Sequence, residues 1–211
     1  MLVKFGLQDA KSSKYPLEPS YGKTDSELLL RNDEYQSLLG SLLYIAVNTR
    51  PDICASVAIL ARKTCNPNQE DWNELKRVAK YLKGTRNLYL NLSENGSGSN
   101  LLVGYADANW AECRIDRKSN SGYIFLLNNS AVSWACKKQT TVSLSTTEAE
   151  FIALSEAAKE AVWIRNILND LNCKQSNPTV IFEDNRSCLN LIKEEKTEQQ
   201  IKTYRHKIPL R

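Results

Sequence analysis

The feature that most constrains this chain is a long helical stripe opened by Ser145-Thr-Thr-Glu-Ala-Glu150. From Phe151 the apolar residues fall at Phe151, Leu154, Ala158, Ala161, Ile164, Leu168 and Leu171. Steps of three and four place them on one face of a helix. Residues 148–171 make a rod of about 36 Å at ~1.5 Å per residue, long enough to cross a whole domain. A helix of that length, apolar along one face only, needs a broad surface to lie on. Glu148, three residues before Phe151, falls on the expected buried stripe. Two explanations compete for a carboxylate there. It closes a capping box with Ser145, or it binds a metal ion together with other acids.

The residues downstream of position 100 supply the broad surface. Residues 101–106 read as a buried strand, and 121–127 with 131–137 as a hairpin joined at Asn128-Asn129-Ser130. After the long helix, residues 179–182 form a short apolar strand, followed by Glu183-Asp184-Asn185 and a last helix with Cys188, Leu189 and Ile192. Three strands, a helix, a strand and a helix predict an α/β domain with a mixed sheet. Upstream the periods are helical. Tyr35, Leu38, Leu39, Leu42 and Ala46 mark one helix. Ile53, Val57, Leu60 and Ala61 mark a second, with Pro51 in its first turn and Asn48 or Thr49 near its cap. Trp72, Leu75, Val78, Ala79 and Leu82 mark a third, which carries Lys76, Arg77, Lys80 and Lys83 on its other face. That basic face is either a solvated surface or a phosphate contact. The expected organisation is a helical segment over 1–92, a Ser/Gly/Asn-rich linker over 93–100 and an α/β domain over 101–211. Residues 1–30 read as an irregular lead-in, and the polar chain beyond Lys193 as a fraying end.

Several function classes recede on composition. The six cysteines are scattered with no C-x-x-C pair, as expected of reduced thiols in an intracellular, cytoplasmic protein. The single histidine, His206, stands near the C-terminus, which argues against a mechanism built on a central imidazole. No apolar run approaches the roughly 18 residues of a membrane span, and the first residues lack a signal-peptide layout. A net charge of +4 permits nucleic-acid binding without demanding it.

Asp107 follows the first strand, and Asp184 ends the fourth. If those strands are neighbours and the helix packs across them, Asp107, Glu148 and Asp184 converge at one end of the sheet. Singly, each has a structural explanation, as turn residue, capping-box residue and N-cap. Together they do not. Carboxylates about 4 Å apart repel by roughly 4 kcal/mol per pair at an effective dielectric near 20. Hard oxygen ligands select Mg²⁺ or Mn²⁺. Thr147 and Glu150 offer a second capping box of the same spacing, so capping does not require Glu148.

These residues also carry a resemblance. Tyr105-Ala-Asp-Ala-Asn-Trp-Ala111, Lys118-Ser-Asn-Ser-Gly-Tyr123, Ser133-Trp134 with Lys137-Lys138-Gln139, and residues 143–154 around Ser145-Thr-Thr-Glu-Ala-Glu150 resemble the RNase H domain of copia-type retrotransposon Pol polyproteins, and Glu183-Asp184-Asn185 continues the likeness. Upstream, residues 39–45, 49–53 and 81–85 resemble the segment joining polymerase palm and RNase H in those polyproteins. The resemblance implies an RNase H-like fold, two Mg²⁺ or Mn²⁺ ions and cleavage of RNA in RNA–DNA hybrids. It implies Asp107, Glu148 and Asp184 as catalytic acids and metal ligands. Asn109, Ser145, Asn185, Lys137 and Lys138 are candidate nucleic-acid contacts. The expected partners are a hybrid or other nucleic acid and the polymerase part of the same element, in the cytoplasm or in virus-like particles, with no membrane. Two departures qualify it. No Asp-Asp pair is present, so the polymerase motif is absent. Where the family carries its fourth metal-binding aspartate, this chain has Pro209 within His206-Lys-Ile-Pro-Leu-Arg211, and the chain stops before the family's last strand and helix. The resemblance therefore implies a hybrid ribonuclease of weak or lost activity. The alternative is a degenerate or domesticated fragment that binds nucleic acid or a protein partner without cutting.

Overall fold

The computed structural model describes residues 1–22, 26–92, 101–110, 116–195 and 208–210. The chain divides into two compact units, Met1–Leu90 and Asn91–Arg211. The expected linker over 93–100, most of the polar tail, Cys113 and His206 lie outside the described residues.

The first unit is helical. Helix α1 (Asp33–Asn48), a 3-10 turn (Pro51–Ile53), α2 (Cys54–Ala61) and α3 (Gln69–Gly84) follow in order. Tyr35, Leu38, Leu42, Ile53, Val57, Leu60, Leu75 and Val78 form its core. The Tyr35 hydroxyl is also buried, and it donates to the Leu60 carbonyl at 2.8 Å. Helix α3 starts with a reciprocal capping box, in which Asn68 and Asp71 each accept the other's backbone N–H. The expected cap before Pro51 is not made. Asn48 and Thr49 instead donate to the carbonyls of Tyr44 and Ile45 and close the end of α1. Arg50 takes the entry to the turn and grips Asp52 through two nitrogens at 2.8 and 2.7 Å. The basic face of α3 is partly spent internally. Arg77 pairs with Glu18 and Glu74, Lys83 donates to the Ala10 carbonyl, and Lys76 lies over the Trp72 ring.

The second unit is a mixed sheet of order β3-β2-β1-β4-β5, with β1 Leu102–Asn109, β2 Asn120–Leu127, β3 Ser130–Lys138, β4 Thr179–Phe182 and β5 Ile208–Leu210. Strands β1, β2 and β3 form an antiparallel meander. The hairpin turn at Asn128 and Asn129 has φ of 51° and 64°. This is the left-handed pair that a two-residue turn of type I′ requires and that asparagine tolerates. Helix α4 (Thr146–Asp170) crosses the sheet, and β4 then runs parallel to β1 in register Gly104↔Ile181. Helix α5 (Arg186–Glu195) follows. Leu102, Ala106 and Phe125 from the sheet, Leu154, Ala157, Ala161, Ile164 and Leu168 from α4, and Ile181, Cys188 and Leu189 form one core. Gly104 is required here by contact: a Cβ on it would lie 2.5 Å from the Phe125 ring.

The α4 stripe differs from the expected one in its first turns. The buried positions are Ala149, Glu150, Ala153, Leu154, Ala157, Ala161, Ile164 and Leu168. Phe151 and Leu171 are exposed, and Ala158 is only half-buried. Small residues let the helix approach the sheet closely, so alanines and not Phe151 define the contact. After α4, Asn172 takes a left-handed φ of 59° and the Cys173 N–H returns to the Leu168 carbonyl at 2.7 Å, a Schellman ending. Arg165 then ties the return loop down, donating to the Gln175 and Asn177 carbonyls and to the Thr179 hydroxyl. Gln175 in turn accepts the Leu102 N–H. These bonds fix β4 beside β1. The arrangement is an RNase H-like mixed sheet. Among the described residues no helix is long and apolar enough to cross a membrane.

Candidate metal centre

Strand alternation decides which side chains meet at the end of this sheet. In β1, Leu102 and Ala106 turn toward the α4 core, and Tyr105 and Asp107 are exposed. In β4, Ile181 is buried and pairs in parallel with Gly104, and Phe182 stacks on Tyr105 at 5.0 Å between ring centroids. Two more residues bring the chain to Asp184. Because β1 and β4 are parallel neighbours, Asp107 and Asp184 leave the sheet at the same end.

Glu150 joins them. One carboxylate oxygen each from Asp107, Glu150 and Asp184 lies within 4.8 Å of the others. Asp107 and Asp184 are exposed, and Glu150 is only 7% exposed. The Ala108 N–H donates to the Glu150 carboxylate, yet its Oε2 is buried with no partner among the described residues. Burial, and then the charges of Glu183, Asp107 and Asp184, push the Glu150 carboxyl up to about 8. Glu183, 3% exposed, is likewise pushed up to about 7, chiefly by burial, although the Asn185 N–H donates to its Oε1 at 3.0 Å. These groups suit a divalent cation: oxygen donors only, more negative charge than the described residues balance, and a buried oxygen to which none of them donates.

Glu148 does not join this group. It is exposed at the head of α4, where its carboxylate accepts the Leu144 N–H at 2.7 Å and its N–H donates to Ser145 Oγ at 3.1 Å. The structure thus corrects the buried placement of Glu148 and puts Glu150 beside Asp107 and Asp184. The reason is rotational. Each residue turns about 100° around a helix of 3.6 residues per turn, so the acid two positions on points into the sheet. The sequence held the signal in the Ala149, Ala153, Ala157 and Ala161 spacing, which shares Glu150's face.

The other expected site residues fall around this cluster. Asn109 is exposed on β1, two residues beyond Asp107. Ser145 caps α4. Asn185 caps α5, its Oδ1 accepting the Cys188 N–H at 2.9 Å. Lys138 pairs with Asp116 at 2.6 Å, and Lys137 is exposed. Pro209, on edge strand β5, is in register with Val180 and brings no carboxylate. Gln139 is a hub that the sequence reading passed over. Buried, it donates to Ser121 Oγ and the Ala149 carbonyl, and accepts from Ser143. Trp110 donates to the Ser143 carbonyl. These bonds hold the segment entering α4 against the sheet and so set the height of Glu150.

Fold and carboxylate placement together define an RNase H-like domain with a candidate divalent-cation site. Comparison with known proteins then gives the lineage. The chain is 39% identical over 202 residues, 92% of its length, to a retrovirus-related Pol polyprotein from transposon TNT 1-94 of Nicotiana tabacum. It is 40% identical over 152 residues to that of transposon RE2 of Arabidopsis thaliana, 72% of this chain. It is also 46% identical over 135 residues, 64% of its length, to a secreted RxLR effector protein 161 of Plasmopara viticola. The match spans 94% of the Plasmopara protein, but only 15% and 10% of the two polyproteins. No family model and no solved structure matches. The chain belongs to the copia-type retrotransposon Pol family and corresponds to a segment of such a polyprotein.

Proposed function

We propose that this chain carries the RNase H module of a copia-type element and hydrolyses RNA in RNA–DNA hybrids. The reading rests on the meeting of Asp107, Glu150 and Asp184 within 4.8 Å, in a chain of that family. Asp107 and Asp184, exposed at the sheet end, would hold Mg²⁺ or Mn²⁺ on the open side. Glu150 would close the site from beneath, its buried Oε2 finding the partner that no described residue supplies. Metal ions bound there would supply activation of a water and stabilisation of the leaving 3′ oxygen.

The chain's own residues account for the rest. The Ala108 N–H steadies Glu150. Gln139, donating to the Ala149 carbonyl, braces the first turn of α4 and keeps that glutamate at a fixed distance from β1. Hybrid binding would use the sugar-phosphate backbone and 2′-hydroxyls more than base edges, with Asn109, Lys137 and Ser145 the exposed candidates. Pro209 supplies no fourth acid, so turnover is slow.

The test is cleavage of a labelled RNA–DNA hybrid by the full chain in Mg²⁺ and in Mn²⁺. Cutting of the RNA strand that disappears in Asp107→Asn and Glu150→Gln, and persists in Glu148→Gln, supports the reading. Cleavage that survives Glu150→Gln overturns the assignment. Salt-sensitive hybrid binding with no cleavage in either metal supports the degenerate alternative instead.

A further inference from the structure

One acid beside the cluster is unexplained by it. Along β4, Thr179 and Ile181 are fully buried, and Glu183 continues that alternation at 3% exposure. Asp184, next in the chain, is exposed. Consecutive carboxylates therefore leave the strand in opposite directions: Asp184 into the open site, Glu183 into the core behind it. Strand packing alone asks for an aliphatic or small polar side chain at this position, as at 179 and 181. Glu183 instead sets a carboxylate close enough to Glu150 and to the Cys188 thiol to act on both. Its Oε1 is held by the Asn185 N–H at 3.0 Å, and its Oε2 is buried with no partner among the described residues. Glu150 Oε2 is in the same condition. Among the described residues, no lysine or arginine is ion-paired to either glutamate.

Two unpartnered oxygens on neighbouring buried acids are costly when ionised, so the fold must either hold them protonated or offset them with a cation. The charge count fits. Asp107, Glu150, Glu183 and Asp184 carry four negative charges when ionised, which two divalent cations balance. We propose that Glu183 is a positioning residue of the metal centre: seated behind Glu150, it adds the fourth negative charge of the cluster and tightens the binding of divalent cations. It thereby offsets part of what Pro209 leaves missing. The inference rests on the nuclease reading of the Asp107, Glu150 and Asp184 group.

The experiment is calorimetric titration of Mn²⁺ into the full chain, comparing the wild type with Glu183→Gln and Asp184→Asn, together with urea unfolding of each in EDTA. Glu183→Gln is expected to weaken Mn²⁺ binding by roughly 10- to 100-fold, the usual effect of losing a residue that supports a ligand. It is expected at the same time to raise the urea midpoint of the metal-free protein, because a buried charge is lost and an amide donor is gained. A merely structural role predicts the opposite, a lower midpoint. Mn²⁺ affinity within about twofold of the wild type, or a destabilised metal-free variant, overturns the inference and leaves the nuclease reading standing if Asp184→Asn abolishes binding. A wild-type chain that binds no better than Asp184→Asn overturns both.

Discussion

Replacing Glu150 by glutamine should stabilise the metal-free protein, and increasingly so as the pH rises from about 4.5 to about 8. In the fold this carboxyl is pushed from its ordinary 4.5 to about 8 by burial and by three neighbouring acids. The folded state therefore holds a proton that the unfolded chain has already released. Stability falls wherever the folded state binds more protons than the unfolded one. The loss begins near pH 4.5 and is complete once the pH passes about 8. At ~1.36 kcal/mol per pH unit, that displacement corresponds to about 5 kcal/mol. This is an upper bound, because Asp107 and Asp184 stand in solvent and water screens them. Glu183, raised to about 7, acts with the same sign, and because its charge is one of the causes that raise Glu150 the two effects do not add. Glutamine keeps an oxygen for the Ala108 N–H and can turn its amide toward Glu183, with no charge to lose. The assay is urea unfolding in EDTA between pH 5 and 9, followed by tryptophan fluorescence; Trp110, Trp134 and Trp163 all lie in the second unit. The wild type should lose stability as pH rises through this range, and Glu150→Gln should lose less, so that it is the more stable by about 2–5 kcal/mol at pH 8.5. Wild-type stability that is level or rises from pH 5 to 8, or a variant weaker than the wild type at pH 8.5, would refute the reasoning.

Other substitutions separate the site from its scaffold. Gly104→Ala would place a methyl 2.5 Å from the Phe125 ring; overpacking of this kind costs about 1–3 kcal/mol, read as a lower thermal midpoint. Ser145→Ala removes the α4 cap and should cost about 1 kcal/mol. Glu148→Ala, which frees the Leu144 N–H, should likewise lower stability. Neither should change Mn²⁺ affinity by more than about twofold, whereas outer partners of true ligands change it by 10–100-fold.

Much of this fold is legible in the sequence because its signals are local. The alternation in β1 to β3, the Asn128-Asn129 turn and the Pro51 entry each depend on a few neighbouring residues. The convergence of Asp107 and Asp184 follows once β1 and β4 are taken as neighbours, the pairing the sheet makes. The identity of the third acid was not legible in the same way. It depends on the rotation of α4 about its own axis, and apolar residues on that helix suggest more than one phase. Phe151 is the larger hydrophobe, but Ala149 and Ala153 are what the close helix–sheet contact accepts. Glu183 is less legible for a related reason: strand parity gives its face, but its nearness to Glu150 is set by the packing of α4, which is tertiary. Gln139 looks like any polar strand end until Ser121, Ser143 and Ala149 are brought around it.

The central claim is that Asp107, Glu150 and Asp184 together hold a divalent cation. Anomalous diffraction from crystals of the full chain grown with Mn²⁺ tests it most directly. The account predicts density among those three carboxylates, with Glu150 Oε2 a ligand and Glu148 still bonded to the Leu144 N–H. Density at Glu148, or none at the sheet end in crystals saturated with Mn²⁺, would contradict it.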